Sequence, residues 1–399
     1  MSFRSPPYRA EHLGSLLRPE KLLQIRRAIH NGTAPISDLP AIEQSSIREA
    51  TQLQIDLNFH GITDGEYGRH MFWGTFFPSL NGMTQITNPP REIFRPYAPD
   101  VAAFLEEDAV PGETVICTGK ISHTGKSSYI DQYTFLRSIV PEGWREGIKL
   151  TLAAPTWYHL RYREGKAYPS DVYKNDAEYF SDIAAAYRTE LSILYDAGLR
   201  NVQIDDPNLA YFCSEKMLHS WPLDSANTHT PDEVFNSYIG LYNACLLSKP
   251  RDMHVGIHLC RGNFVGSRHF SEGGYDRIAT RLFQNLNVDT FYLEYDTERA
   301  GGFEPLKELP RDKNVVLGVV SSKFPTLEGK GEMVRRVREA AEFVAKSGEG
   351  RDAALKRMGV SPQCGFASHE EGNALGWGDM VEKLRLVRSV ADEVWPGEY

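Results

Sequence analysis

Residues 254–260 read HVGIHLC, an apolar run that turns polar at its end, and TFYLEYD at 290–296 and GVSPQCGF at 359–366 have the same shape. If HVGIHLC is a strand, side chains two apart share a face, so His258 and Cys260 can grip one ion. Glu294 and Cys364 hold the matching places in the other two runs. One imidazole, two potential thiolates and one carboxylate are the ligand types and number that tetrahedral zinc accepts. The plainer alternative is a core role, since cysteine is among the most buried residue types and a strand histidine is often a satisfied core residue.

Working outward, five more runs complete a series of eight: YRAEHLGS (8–15), GITDGE (61–66), KLTLAAP (149–155), NVQIDD (201–206) and NVVLGVVSS (314–322). Apolar runs with polar ends are what parallel strands buried on both faces require. Helical patterns lie between them. Residues 176–197 place Phe180, Ile183, Ala184, Tyr187, Leu191 and Leu194 on one face, with Gly198 positioned to end the helix. Thr230, Pro231, Asp232 and Glu233 combine an N-cap, a first-turn proline and a capping-box glutamate. The alternation predicts an α/β fold, a (β/α)₈ TIM barrel whose active site gathers at the C-terminal strand ends. The stretch 67–148 is too long for a single loop and contains strand-like ETVICTGKIS at 113–122. It reads as an excursion between the second and third barrel strands, covering the mouth of one catalytic unit that spans residues 1–399.

A net charge of −9 offers no basic surface for nucleic acid, which points to small-molecule partners. The N-terminus MSFRSPPYRAEHLGS has no apolar leader core, and no apolar segment nears the ~18 residues of a membrane span. A cytoplasmic protein without a membrane partner is expected, with homo-oligomerisation open. Cys117, Cys213, Cys245, Cys260 and Cys364 are odd in number and scattered, which argues against a disulfide framework.

The strand order and the candidate metal set come with specific motifs: LGS at 13–15, DGE at 64–66, QIDDP at 203–207, HLC at 258–260, LEYD at 293–296 and PQCG at 362–365. On these the chain resembles, nearly end to end, the catalytic half of cobalamin-independent methionine synthase, in the superfamily that includes uroporphyrinogen decarboxylase. The resemblance implies that His258, Cys260, Glu294 and Cys364 bind Zn²⁺. It also implies that Gly14, Ser15, Glu66 and Asp205 hold an amino-acid thiol, homocysteine. Two carboxylates suit its ammonium, and the donors of LGS suit its carboxylate. A free thiol is mostly protonated at neutral pH, whereas a zinc-bound one is deprotonated and stays nucleophilic.

Departures accompany the likeness. Full-length enzymes of this type carry a second, N-terminal barrel, and this sequence begins directly at the catalytic one. FVGSRHFSEGGYD at 264–276 lengthens the interval between Cys260 and Glu294 and makes Glu272 a substitute ligand. Trp157, in APTWYHLR, falls in the general region where the family contacts the pterin of its folate donor, but the local match is poor and no folate site is assigned. In GVVSSKF, Lys323 stands where the family leads one to expect a histidine that helps protonate the leaving group. Lys323, His12 and His369 are the candidates for handling charge. The expected activity is zinc-dependent S-methylation of a homocysteine-like thiol by a donor other than folate triglutamate. An epoxide or other electrophile as the alkyl donor, a metal-independent decarboxylase-like enzyme, and a non-catalytic zinc-stabilised binding protein are the alternatives.

Overall fold

The computed structural model describes residues 5–109, 112–346 and 348–398, and among these eight strands lie in two sheets. Strands β1 (Asn81–Thr87) and β2 (Glu113–Ser122) pair antiparallel. The others form one parallel sheet in sequence order: β3 (Lys149–Ala153), β4 (Asn201–Asp206), β5 (His254–Leu259), β6 (Thr290–Glu294), β7 (Asn314–Val320) and β8 (Met358–Pro362). Almost every residue of these six strands is buried, as helices on the outer face require.

The first two expected strands are not laddered. Ala10 makes a single parallel bridge to Val360 of β8, and Ile62 makes one to Ile148, just before β3. The two segments thus sit at opposite edges of the sheet, and they meet where Leu16 N–H donates to the Gly65 carbonyl at 3.1 Å. Side chains take the backbone groups that a ladder would use. Thr63 N–H donates to Gln54 Oε1 at 2.8 Å, and the Gly14 carbonyl accepts from Thr63 Oγ1 at 2.7 Å. Lys149 on β3 pairs with Glu11 at 2.8 Å, both side chains fully buried, and also donates to the His12 carbonyl at 2.6 Å.

The expected helices form. Asp176–Asp196 buries all six predicted apolar residues, and Asn175 caps it by accepting from Glu178 N–H. Pro231–Cys245 starts with the complete Thr230/Glu233 capping box. The stretch 67–148 holds the β1–β2 pair and the helices Pro99–Glu106 and Ile130–Ile139. No helix of the described residues is long and apolar enough to cross a membrane.

Register positions the chemistry. His258 pairs with Tyr292, and Asp205 on β4 pairs with His258. Gly256 is two residues before His258 on the same face, and a Cβ there would lie 2.4 Å from the Tyr292 ring. The ring therefore fills the space beneath the strand ends only because this position is glycine.

Two histidines, the buried His12 and the half-buried His254, resist protonation. Burial, then the nearby Lys149 cation, lowers His12 to about 3. Burial and Lys149 also lower His254 to about 4, against the pull of Asp289. Unfolded chains take up these protons near pH 6.5, and the folded chain does so only far lower. Stability is therefore full above about pH 6.5 and falls as pH drops toward the folded values, by up to about 1.4 kcal/mol per pH unit for each histidine. Urea unfolding between pH 7 and 4.5 should show this slope, and His12→Gln should flatten it.

Candidate active site

The parallel strands end in one cluster. Ligand atoms of His258, Cys260, Glu294 and Cys364 all lie within 4.8 Å of one another. His258 Nε2 is 3.4 Å from Cys364 Sγ, and the two sulfurs are 3.5 Å apart. Both cysteines are free, and that separation is far beyond a disulfide bond of about 2.05 Å. It is close to the edge of a tetrahedron built on Zn–S bonds of about 2.3 Å. The donor set and its spacing thus fit a tetrahedral metal ion. Glu272, the substitute ligand raised by the sequence, is exposed and outside the cluster.

Three of the four candidate ligands are oriented from behind. His258 Nδ1 faces the Tyr292 carbonyl at 3.3 Å, which leaves Nε2 toward the cluster. Glu294 accepts from Arg261 N–H at 2.9 Å through Oε1 and from Arg299 at 2.9 Å through Oε2. Gly262 N–H donates to Cys260 Sγ at 3.2 Å. Arg299, His258 and Lys323 overcome burial and hold the Glu294 carboxyl below its usual range. Burial opposes a charged imidazole, yet Cys260, Asp205 and Glu294 raise His258 to about 9.

A cavity of about 300 Å³ opens over the cluster. His258, Cys260 and Cys364 line it together with Ser15, Glu66, Asp205 and Trp157, so most of the expected substrate residues converge. Gly14 lies behind them with φ of 103°, and a Cβ there would press within 2.5 Å of Thr151 and 3.0 Å of Glu66. Ser15 Oγ accepts from Ala367 N–H at 3.3 Å. Burial, then the Glu66 charge, pushes Asp205 up to about 7, against its hydrogen bond from Gln203. Glu66 is not free: Arg69 pairs with it at 2.8 Å, and Thr151 Oγ1 donates to it at 2.8 Å. Sequence reasoning missed Arg69, whose only signal is its place three residues after Glu66.

The three charge-handling candidates do not line the cavity. Lys323 is buried, its pKa lowered chiefly by that burial, and its ammonium donates to Gly262 O at 2.8 Å and to Asn263 Oδ1 and Arg268 O at 3.3 Å. His12 bonds Gln54 at 2.9 Å, and His369 bonds Glu371 at 3.1 Å. Lys323 thus braces the loop after Cys260, placing a cation near Glu294 and both thiols. Sequence reasoning also missed Trp73, Phe104 and Asp100, which 67–148 contributes to the cavity wall.

Comparison with known proteins gives a consistent picture. Residues 167–393 match the family model described as the catalytic domain of cobalamin-independent synthase. Protein YxjG of Bacillus subtilis, which carries no assigned activity, is 34% identical over 394 residues, covering 98% of this chain and 96% of its own. The methionine synthase of Pyrococcus horikoshii is 21% identical, over 94% of this chain and 91% of its own. Among solved structures, a candidate vitamin-B12-independent methionine synthase from Listeria monocytogenes superposes with a TM-score of 0.71 at 27% identity, covering 98% and 99% of the two chains.

The Glu66–Arg69 pair makes a stability test. Arg69→Met strands a buried carboxylate and should cost about 3 kcal/mol by urea unfolding. The double variant Arg69→Met/Glu66→Gln should recover a substantial part of that loss.

Proposed function

The chain belongs to the cobalamin-independent methionine synthase family, and from that membership we propose that it is a zinc-dependent thiol S-methyltransferase acting on a homocysteine-like acceptor. The observation that carries this reading is the convergence of His258, Cys260, Glu294 and Cys364 within 4.8 Å, with His258, Cys260 and Cys364 on the wall of the cavity. In this reading residues 1–399 are one catalytic unit on a closed eight-stranded barrel, the segments around Ala10 and Ile62 completing the ring between β8 and β3.

Zinc held by these four residues would supply thiolate formation at neutral pH, the chemistry that three anionic donors around a divalent cation favour over water activation. The protein's own groups do the rest. Asp205 and Glu66 face the cavity and orient the acceptor through its ammonium group, with Glu66 held in place by Arg69 and Thr151. Ser15 and the backbone around Gly14 receive its carboxylate. Lys323 and Arg299 offset the negative charge of the cluster. Fixing the thiol against a second cavity wall converts a bimolecular step into a positioned one.

Purified protein is expected to hold about one zinc per chain, and Cys260→Ser or Cys364→Ser should lose most of it, because each removes a charged soft donor. Full occupancy in both variants would end the assignment. Homocysteine added to the zinc-loaded protein should introduce one further sulfur into the metal shell by X-ray absorption.

Asp205→Asn and Glu66→Gln should weaken acceptor binding by about 1.5–3 kcal/mol each, the scale of a charge-assisted hydrogen bond. Zinc content should not change. Calorimetric titration with homocysteine checks both; unaltered affinity in both variants would exclude an amino-acid acceptor.

A further inference from the structure

The cavity has two chemically unlike walls. On the cluster side it is polar, with Ser15, Glu66 and Asp205. The remaining wall presents Phe72, Trp73, Phe104, Trp157, Phe264 and Phe270. These rings support one another: Trp73 stacks with Trp157 at 5.8 Å, and Phe72 meets Trp157 edge-on at 5.0 Å. Phe104 meets Phe264 edge-on at 5.2 Å.

Asp100 lines the cavity with these rings, and so does Glu113, which pairs with His70. Asp100 is 1% exposed, and its Oδ2 accepts from Arg161 Nε at 2.6 Å. Its Oδ1 is buried without a hydrogen-bond partner. A carboxylate oxygen left without a partner in an apolar setting is costly, so it marks a place for a group of opposite charge. Aromatic faces beside it favour the same kind of ligand, because the ring quadrupole attracts cations. Arg161, 4.5 Å over the Trp157 ring, already exploits that attraction.

A second observation concerns protons. A leaving group that departs as an anion needs a proton, yet Lys323, His12 and His369 all lie off the cavity wall and bond elsewhere. Apart from the cluster's own His258, the histidine that lines the cavity among the described residues is His70, which is 54% exposed and pairs with Glu113 at 3.3 Å.

We propose that the methyl donor is a small sulfonium cation, seated against the aromatic wall beside Asp100. This rests on the thiol methyltransferase reading and adds to it the class of electrophile. A lone pair of the acceptor thiolate forms the new sulfur–carbon bond to the methyl group. The methyl–sulfonium bond breaks with both its electrons passing to the departing sulfur. Thiolate and sulfonium charges cancel, a neutral thioether leaves, and no proton is transferred. Because charge disappears along this step, an apolar wall favours the transition state over the separated ions. A quaternary ammonium ion of the same shape fits the wall but has a poorer leaving group, so it should bind and not react.

The test uses the zinc-loaded full chain with homocysteine, offering trimethylsulfonium or S-methylmethionine as donor and detecting methionine and the released thioether by mass spectrometry. Both donors should give product, and Trp73→Leu or Asp100→Asn should raise the sulfonium KM about tenfold, the scale of one lost cation contact. A binding measurement stands apart from turnover. Choline should quench tryptophan fluorescence and compete with the sulfonium, whereas its uncharged isostere 3,3-dimethyl-1-butanol should do neither. Equal binding of the two isosteres, or methionine formed from methyltetrahydrofolate with none from either sulfonium, would overturn the inference and leave the methyltransferase reading intact. Failure of homocysteine to add sulfur to the zinc shell would remove the parent reading, and this one with it.

Discussion

Burying His258, Cys260, Glu294 and Cys364 within 4.8 Å of one another sets an electrostatic problem that much of the surrounding structure answers. Ionised donors taken from water are costly unless paired. Arg299 reaches Glu294 directly, the Arg261 and Gly262 amides point at Glu294 and Cys260, and Lys323 contributes charge from behind the loop. Each of these groups lies just after a strand end. The donor set and its spacing fit a metal ion at the centre.

The same economy of placement divides the cavity. Strand ends and the two N-terminal segments build the polar side, where Glu66 is locked by Arg69 and Thr151 and Asp205 by Gln203. Residues of 67–148 build much of the aromatic side, with Trp73, Phe104 and Asp100. In the proposed reading, acceptor and donor are gripped by different parts of the chain.

Lys323 illustrates how position alone misleads. Its place after β7 predicted a group reaching the substrate, but a four-carbon stem let its ammonium turn to three oxygens of the 262–268 loop. Its consequence for the site is bracing and charge. The N-terminal segments differ for another reason. YRAEHLGS and GITDGE were expected to form strands, yet Gln54, Thr63 and His12 hydrogen-bond the backbone there, so a single bridge to each sheet edge remains.

From sequence alone, six parallel strands, two capped helices and the four clustered donors were legible. Each depends on a local rule: alternation along a strand, helical periodicity, or a ligand type at a strand end. Side-chain destinations and long-range pairing were not legible. The Glu66–Arg69 lock, the fate of Lys323 and the unpartnered Asp100 oxygen depend on which segments fold beside one another. Only the tertiary structure decides them, because a long polar side chain bonds the acceptor that packing brings within about 3 Å, whatever its position in the chain.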